Sequence, residues 1–153
     1  MTNDTAMEKV HFNLGPGEWH SYETESVWAS DLGGGVFRLE NTPFFAKGAN
    51  FEDSFTTELI GAQRLAKQAI TRSGRSTYRI SLIQNEHQVS RFEDYWSPME
   101  KLGCRYEHGD FGFQLFAVDV PASTDVKAAY ALLERGEQNG IWDFEEGHCA
   151  HGN

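Results

Sequence analysis

Three side chains able to bind a metal crowd one end of the chain: His148, Cys149 and His151, within Gly147-His148-Cys149-Ala150-His151-Gly152. Thiolate and imidazole are groups that zinc and copper prefer. A closed site needs a fourth ligand, for which Cys104, His108 or His87 are candidates. The opposing reading is a disordered tail over residues 147–153, and it is the one taken here, so no metal and no cofactor are expected. A second group is cationic: Lys67, Arg72, Arg75 and Arg79 surround the middle of the chain. With Lys47, Arg72 and Arg75 would suit an anion pocket between two halves. The simpler expectation is that these cations pair with surplus acids. His11, His20, His87 and His108 stand in no motif with Ser or Cys. The neighbouring carboxylates Glu145 and Glu146 would point to opposite faces of a strand. No catalytic residue is expected.

Two aromatic stretches offer binding rather than bond-breaking chemistry. In Phe37-Arg38-Leu39-Glu40-Asn41-Thr42-Pro43-Phe44-Phe45-Ala46-Lys47-Gly48-Ala49-Asn50-Phe51-Glu52-Asp53, four Phe fall within fifteen residues. The run starts as a strand, turns at Asn41-Thr42-Pro43 and turns again near Gly48. Phe37 to Asn41 reads as a strand and Pro43 to Phe51 as a long connection, with Phe44 or Phe45 available for contact. The second stretch, Phe111-Gly112-Phe113-Gln114-Leu115-Phe116, echoes the stacking strand of RNA-recognition domains. Gly109-Asp110 stands where that pattern wants a basic residue, so nucleic acid is not the expected ligand.

Composition supports the same exclusion. The chain has 153 residues and a formal charge of -10, with 10 acids against 7 bases in residues 1–75 and 13 against 6 in residues 76–153. Phosphate binding needs Lys and Arg to displace counterions. An acidic surface instead favours a basic protein partner. The two cysteines, Cys104 and Cys149, have no framework spacing, which fits a reducing compartment. The first eight residues lack a signal-peptide pattern, and no apolar run reaches membrane-span length. A cytoplasmic location and no membrane partner are expected.

The elements that must position these residues fall into two sets. Val10, Phe12 and Leu14 alternate with polar residues as a strand ending at Gly15-Pro16-Gly17. Tyr22 to Ser30 and Val36 to Glu40 flank Gly33-Gly34-Gly35, a hairpin signal. Ser54 to Ile60 is a fourth strand, and Arg64 to Thr71 a fifth strand or a short helix. Five short strands over residues 8–73 predict a small β-barrel of the SH3 type.

Residues 76–146 read as β-α-β-β-α-β, the ferredoxin-like unit. Tyr78, Ile80 and Leu82 begin it. Asn85 and Gln88 look like a capping pair, and Val89, Phe92, Trp96 and Met99 share one helical face. Pro98 predicts a kink or break in that helix. Cys104 to His108 is a strand, Gly109-Asp110 a turn, and Phe111 to Val120 a long strand. Ser123 or Thr124 is placed as the cap of a second helix with Gly136 as its C′ residue, and Trp142 and Phe144 lie in the last strand. With both helices on one sheet face, the other face needs cover from the barrel, a second subunit or a ligand.

The succession Val27-Trp28-Ala29, Phe37 to Gly48, Arg72-Ser73-Gly74-Arg75-Ser76-Thr77, Leu102-Gly103-Cys104, Ala117-Val118-Asp119-Val120-Pro121 and Trp142-Asp143-Phe144-Glu145-Glu146 resembles a bacterial family catalogued as domain of unknown function 4265. The likeness spans about residues 9–147, and Asn-x-Pro-Phe-Phe-Ala is its most specific part. It implies that this segment is a family hallmark and implies no activity, cofactor or catalytic residue.

The expectation is therefore an α+β, non-catalytic, protein-binding or regulatory protein. Its most concrete form is an immunity-type protein masking a basic toxin, with Phe44, Phe45, Lys47, Arg72, Arg75 and Phe116 as contact candidates. A homodimer is compatible with it. The alternatives are a small-ligand sensor or enzyme using a cleft between the halves, and an RNA-binding open sheet face.

Overall fold

The computed structural model describes residues 6–15, 22–82 and 86–151, with the side chains of residues 86–88 set aside. The readings at Pro16-Gly17, His20, Asn85, Gly152 and the side chains of His87 and Gln88 lie outside the described residues. The chain is α+β, mostly β, and divides into two compact units, residues 1–73 and 74–153.

The first unit contains β1 (Met7–Asn13), β2 (Thr24–Gly33), β3 (Val36–Leu39), β4 (Ser54–Ile60) and β5 (Gln63–Thr71). Each strand pairs antiparallel with the next, and β5 returns to β1 to close a five-stranded ring. A meander with an odd strand count must close with first and last strands running the same way. The β1·β5 pair is accordingly parallel, with Val10 opposite Arg64 and His11 opposite Leu65. Residues 64–71, open between strand and helix in the sequence, are strand.

Hairpin chemistry fixes the registers. Gly34 and Gly35, both with positive φ (63° and 81°), form the two-residue turn between β2 and β3, the conformation a twisted hairpin requires and only Gly adopts freely. The ring interior holds Val10, Phe12, Val27, Ala29, Phe37, Leu39 and Phe55, with Phe12 and Phe55 edge to face at 5.2 Å. Arg64 lies over the Phe37 ring at 4.6 Å and bonds Glu8 at 2.8 Å and Thr57 Oγ1 at 3.0 Å.

The second unit runs β6 (Ser76–Leu82), α1 (Glu86–Lys101), β7 (Arg105–Asp110), β8 (Gln114–Val120), α2 (Val126–Gln138) and β9 (Asp143–His148). Its sheet is antiparallel throughout, in the order β7-β8-β6-β9. Tyr78, Ile80 and Leu82 join Phe116, Val118 and Val120 on one face, against Phe92, Trp96 and Met99 of α1 and Ala129 and Leu133 of α2.

Four local expectations are corrected. Pro98 does not break α1, which runs on to Lys101; it removes one hydrogen bond near the helix end, while Trp96 and Met99 stay buried on either side of it. The helix stops at Gly103, where Cys104 N–H reaches Met99 O (3.2 Å) and Gly103 N–H reaches Glu100 O (2.9 Å), a Schellman closure. The cap of α2 is Asp125, whose carboxylate accepts from Lys127 N and Ala128 N. Thr124 turns aside to donate to Leu102 O. Gly136 lies inside α2 because a Cβ there would stand 2.2 Å from Trp142 Cε2; Gly140 (φ 71°) is the residue in the left-handed region after the helix. Finally, Phe111 and Phe113 belong to the β7–β8 turn, where Gly112 has φ 88°, and not to a strand.

Candidate functional site

Residues 40–53 leave the ring and return to it beside their point of departure. Leu39 N–H donates to Asp53 O and Glu52 N–H to Leu39 O, so the ends meet and the segment is an Ω-type loop. Two carboxylates of the unit, one half-buried and one buried, hold its shape. Glu25, on β2, accepts three successive backbone N–H groups: Phe44 at 2.5 Å on one oxygen, Phe45 at 2.9 Å and Ala46 at 2.8 Å on the other. Such a run of convergent N–H groups is an anion nest, and here the chain fills it with its own side chain. Asp53, fully buried, accepts from Asn50 N (2.9 Å), Ser73 N (2.8 Å), Ser73 Oγ (3.0 Å) and Arg72 Nη1 (2.9 Å). Glu52 is the single described non-glycine residue with positive φ, at 69°. That is a strained position, and such positions persist only where surrounding contacts over-determine them.

The loop thereby sorts the aromatics. Phe45 is buried, and Tyr22 stacks on it at 5.0 Å with 26° between the rings while remaining 41% exposed. Phe44 is half-buried and tilted against Phe45 at 6.5 Å. Lys47 is exposed at the following turn. Phe44, Phe45, Lys47 and Arg72 thus come together in one loop system. The sequence reading missed Tyr22, which stands well before the hallmark segment, and Glu25, whose partners are 19 to 21 positions away.

The remaining candidates belong to the second unit. Arg75 pairs with the buried Asp119 at 2.5 Å. Arg79, 2% exposed, pairs with Glu145 at 3.2 Å. Gly147 admits it, since a Cβ there would lie 3.2 Å from its guanidinium carbon. Arg72 and Arg75 therefore each serve a carboxylate of their own unit. Phe116 stacks on Phe92 at 4.6 Å under the helices, so it is core and not a contact surface. His108 stacks on Phe116 and bonds Gln114.

Residues 147–151 are held in place. Among the described residues, no three His, Cys, Asp or Glu side chains are grouped to hold a metal ion. His151 instead bridges Ser76 Oγ (Nδ1, 2.5 Å) and Pro121 O (Nε2, 2.8 Å). The carbonyl requires a proton on Nε2, which leaves Nδ1 to accept from the Ser76 hydroxyl. A Ser–His pair of this kind suggests a nucleophile, but Ser76 is fully buried and its oxygen also accepts from Ala150 N and His151 N. With its lone pairs occupied, the hydroxyl is a latch for the segment.

The family model described as "Domain of unknown function (DUF4265)" matches residues 25–144. The chain belongs to that family. The match covers the β2–β9 succession and includes the Ω loop with its Glu25 anchor. No curated protein matches the sequence. Among solved structures, the chain is similar to one titled "Novel crystal structure of a hypothetical protein from Neisseria gonorrhoeae", with a TM-score of 0.76 at 15% identity, covering 99% of this chain and 100% of that one. At that identity the likeness concerns the fold alone. No helix among the described residues is long and apolar enough to cross a membrane.

Proposed function

We propose that this member of the family is a non-catalytic, cytoplasmic protein-binding module whose contact surface is the Ω loop and Tyr22, and whose partner is a basic protein such as a toxin nuclease. The five-stranded ring is read as a small SH3-like β-barrel and the order β7-β8-β6-β9 as a ferredoxin-like unit. The observation that carries the functional reading is the Tyr22–Phe45 stack. A half-exposed aromatic fixed on a buried one loses little entropy on binding, which is what interface hot spots require. Glu23 is exposed beside it, and the chain's charge of -10 would accelerate encounter with a cationic surface.

The test is affinity capture from cells of the source organism at about 150 mM salt, where exposed charges still act within about 8 Å. Recovery of a basic protein by the native chain, lost with Tyr22→Ala and weakened by added salt, supports the proposal. Equal recovery by Tyr22→Ala, or no basic protein at all, refutes it.

A further inference from the structure

We propose that the chain pairs with a second copy of itself through the end of β4, related by a two-fold axis at Leu59. Strand β3 pairs with β4 only from Ser54 to Thr56. The last contact on that side is Thr57, whose N–H and Oγ1 both donate to Gly35 O, at 2.9 Å and 2.7 Å. Beyond it, Glu58, Leu59 and Ile60 pair with β5 alone, opposite Leu65, Arg64 and Gln63. Backbone groups along a strand alternate in direction, so Leu59 presents its N–H and C=O the same way as Thr57 does. No described strand lies there.

The side chains around this short edge are apolar and exposed: Leu59 57%, Ile60 51%, Met7 50% and Leu32 49%. Register brings them to one rim. Met7 lies three residues before Val10, which is opposite Arg64, and so runs alongside the β4–β5 turn. Leu32 precedes the β2–β3 turn, whose Gly35 meets Thr57. An open strand edge with exposed apolar side chains is a template for another strand.

Charge selects a second copy as the occupant. Across the chain, acids exceed bases by ten, so most surfaces repel their own copies. The described charges at this rim are Glu8, Lys9, Asp31, Glu58, Arg64 and Lys67, three of each sign, and Glu8–Arg64 and Glu58–Lys67 are paired at 2.8 Å and 3.1 Å. A two-fold interface must be self-complementary, and a neutral rim with four of its six charges paired within it meets that condition. Antiparallel pairing would set Leu59 opposite Leu59 of the second copy, exchanging both backbone bonds, and Glu58 opposite Ile60 rather than opposite its own kind.

The experiment is sedimentation of the native chain across concentration, with Leu59→Lys and Ile60→Lys compared after circular dichroism has established that each folds. The native chain should sediment as a dimer at about 100 μM, and both variants as monomers. Independently, Leu59→Cys in a Cys149→Ser background should form an intermolecular disulfide under mild oxidation, since hydrogen-bonded antiparallel neighbours stand about 5.5 Å apart at Cα, inside the disulfide range. A monomeric native chain at that concentration overturns the proposal. So does a dimer that survives Leu59→Lys, or a Leu59→Cys chain that does not cross-link.

Discussion

The Glu25 carboxylate is where the Ω loop can be tested most directly. Each of its bonds to Phe44, Phe45 and Ala46 N–H joins an ionised acceptor to a backbone donor. Bonds to charged groups contribute about 1.5–3 kcal/mol each, and unpaired buried donors cost about 1–3 kcal/mol. Glu25 is only half-buried, so water would replace part of the loss, and Glu25→Ala should cost about 2–4 kcal/mol. Glu25→Gln keeps one oxygen for Phe45 and Ala46 but turns an amide N–H₂ toward the Phe44 donor; it should cost about half as much. Glu25→Asp, one methylene shorter, should resemble Ala. Urea unfolding measures the global part. Amide hydrogen exchange at residues 44–46 reads the loop itself, and protection there should fall in the order native, Gln, Ala. If Glu25→Ala costs less than about 1 kcal/mol and these amides stay protected, the loop is shaped by its own sequence and the staple argument fails.

Three further perturbations probe the frame around that loop. Gly136→Ala gains about 1 kcal/mol of helix propensity, but its Cβ would meet the Trp142 indole at 2.2 Å; overpacking should win, leaving the chain about 2 kcal/mol less stable in urea, with a shifted Trp emission. Phe45→Ala should cost about 3 kcal/mol, because it empties a buried site and strips Tyr22 of its support; a change below about 1 kcal/mol would place the ring outside the core. Burial, helped by the Asp119 charge, pushes the Cys104 thiol up to about 12 from its ordinary 9.0. The folded state then holds this proton longer than the unfolded chain, so the contribution is complete below pH 9 and is lost as pH rises toward 12. Cys104→Ala should flatten that alkaline decline in thermal scans, and Cys149 should react with a thiol reagent at neutral pH well before Cys104 does.

What the sequence made legible was whatever rests on short-range periodicity. Val10 and Phe12, or Tyr78, Ile80 and Leu82, alternate as strands must, and Phe92, Trp96 and Met99 fall on one helical side. Boundaries were harder where two residue types suit one role. Thr124 and Asp125 are both good caps, and only the backbone decides which carboxylate or hydroxyl faces the helix end. Gly136 looked like a terminator because a helix-ending Gly and a Gly admitting an indole are spelled alike. Gly112 within an apolar run was a turn signal that the Phe-Gly-Phe pattern obscured. The site residues escaped for a different reason. Glu25 meets the loop across about 20 positions, and Ser76 meets His151 across 75. Nothing local marks either residue, since an exposed-looking Glu on a strand and a Ser beside Thr have many ordinary explanations.

The parallel seam between β1 and β5 sets the order in which the ring can assemble. Every other pairing in the ring joins neighbours along the chain, the longest connection being the 14-residue Ω loop, whereas joining Val10 to Arg64 closes more than fifty residues for a contact two residue pairs long. Loop closure must precede any gain from such a contact, so the seam should be the last part of the ring to form and the first to part. Changes confined to it, such as His11→Ala, would then speed unfolding while leaving the folding rate nearly untouched. The lifetime of the closed ring, rather than the rate at which it is made, would rest on that one narrow join.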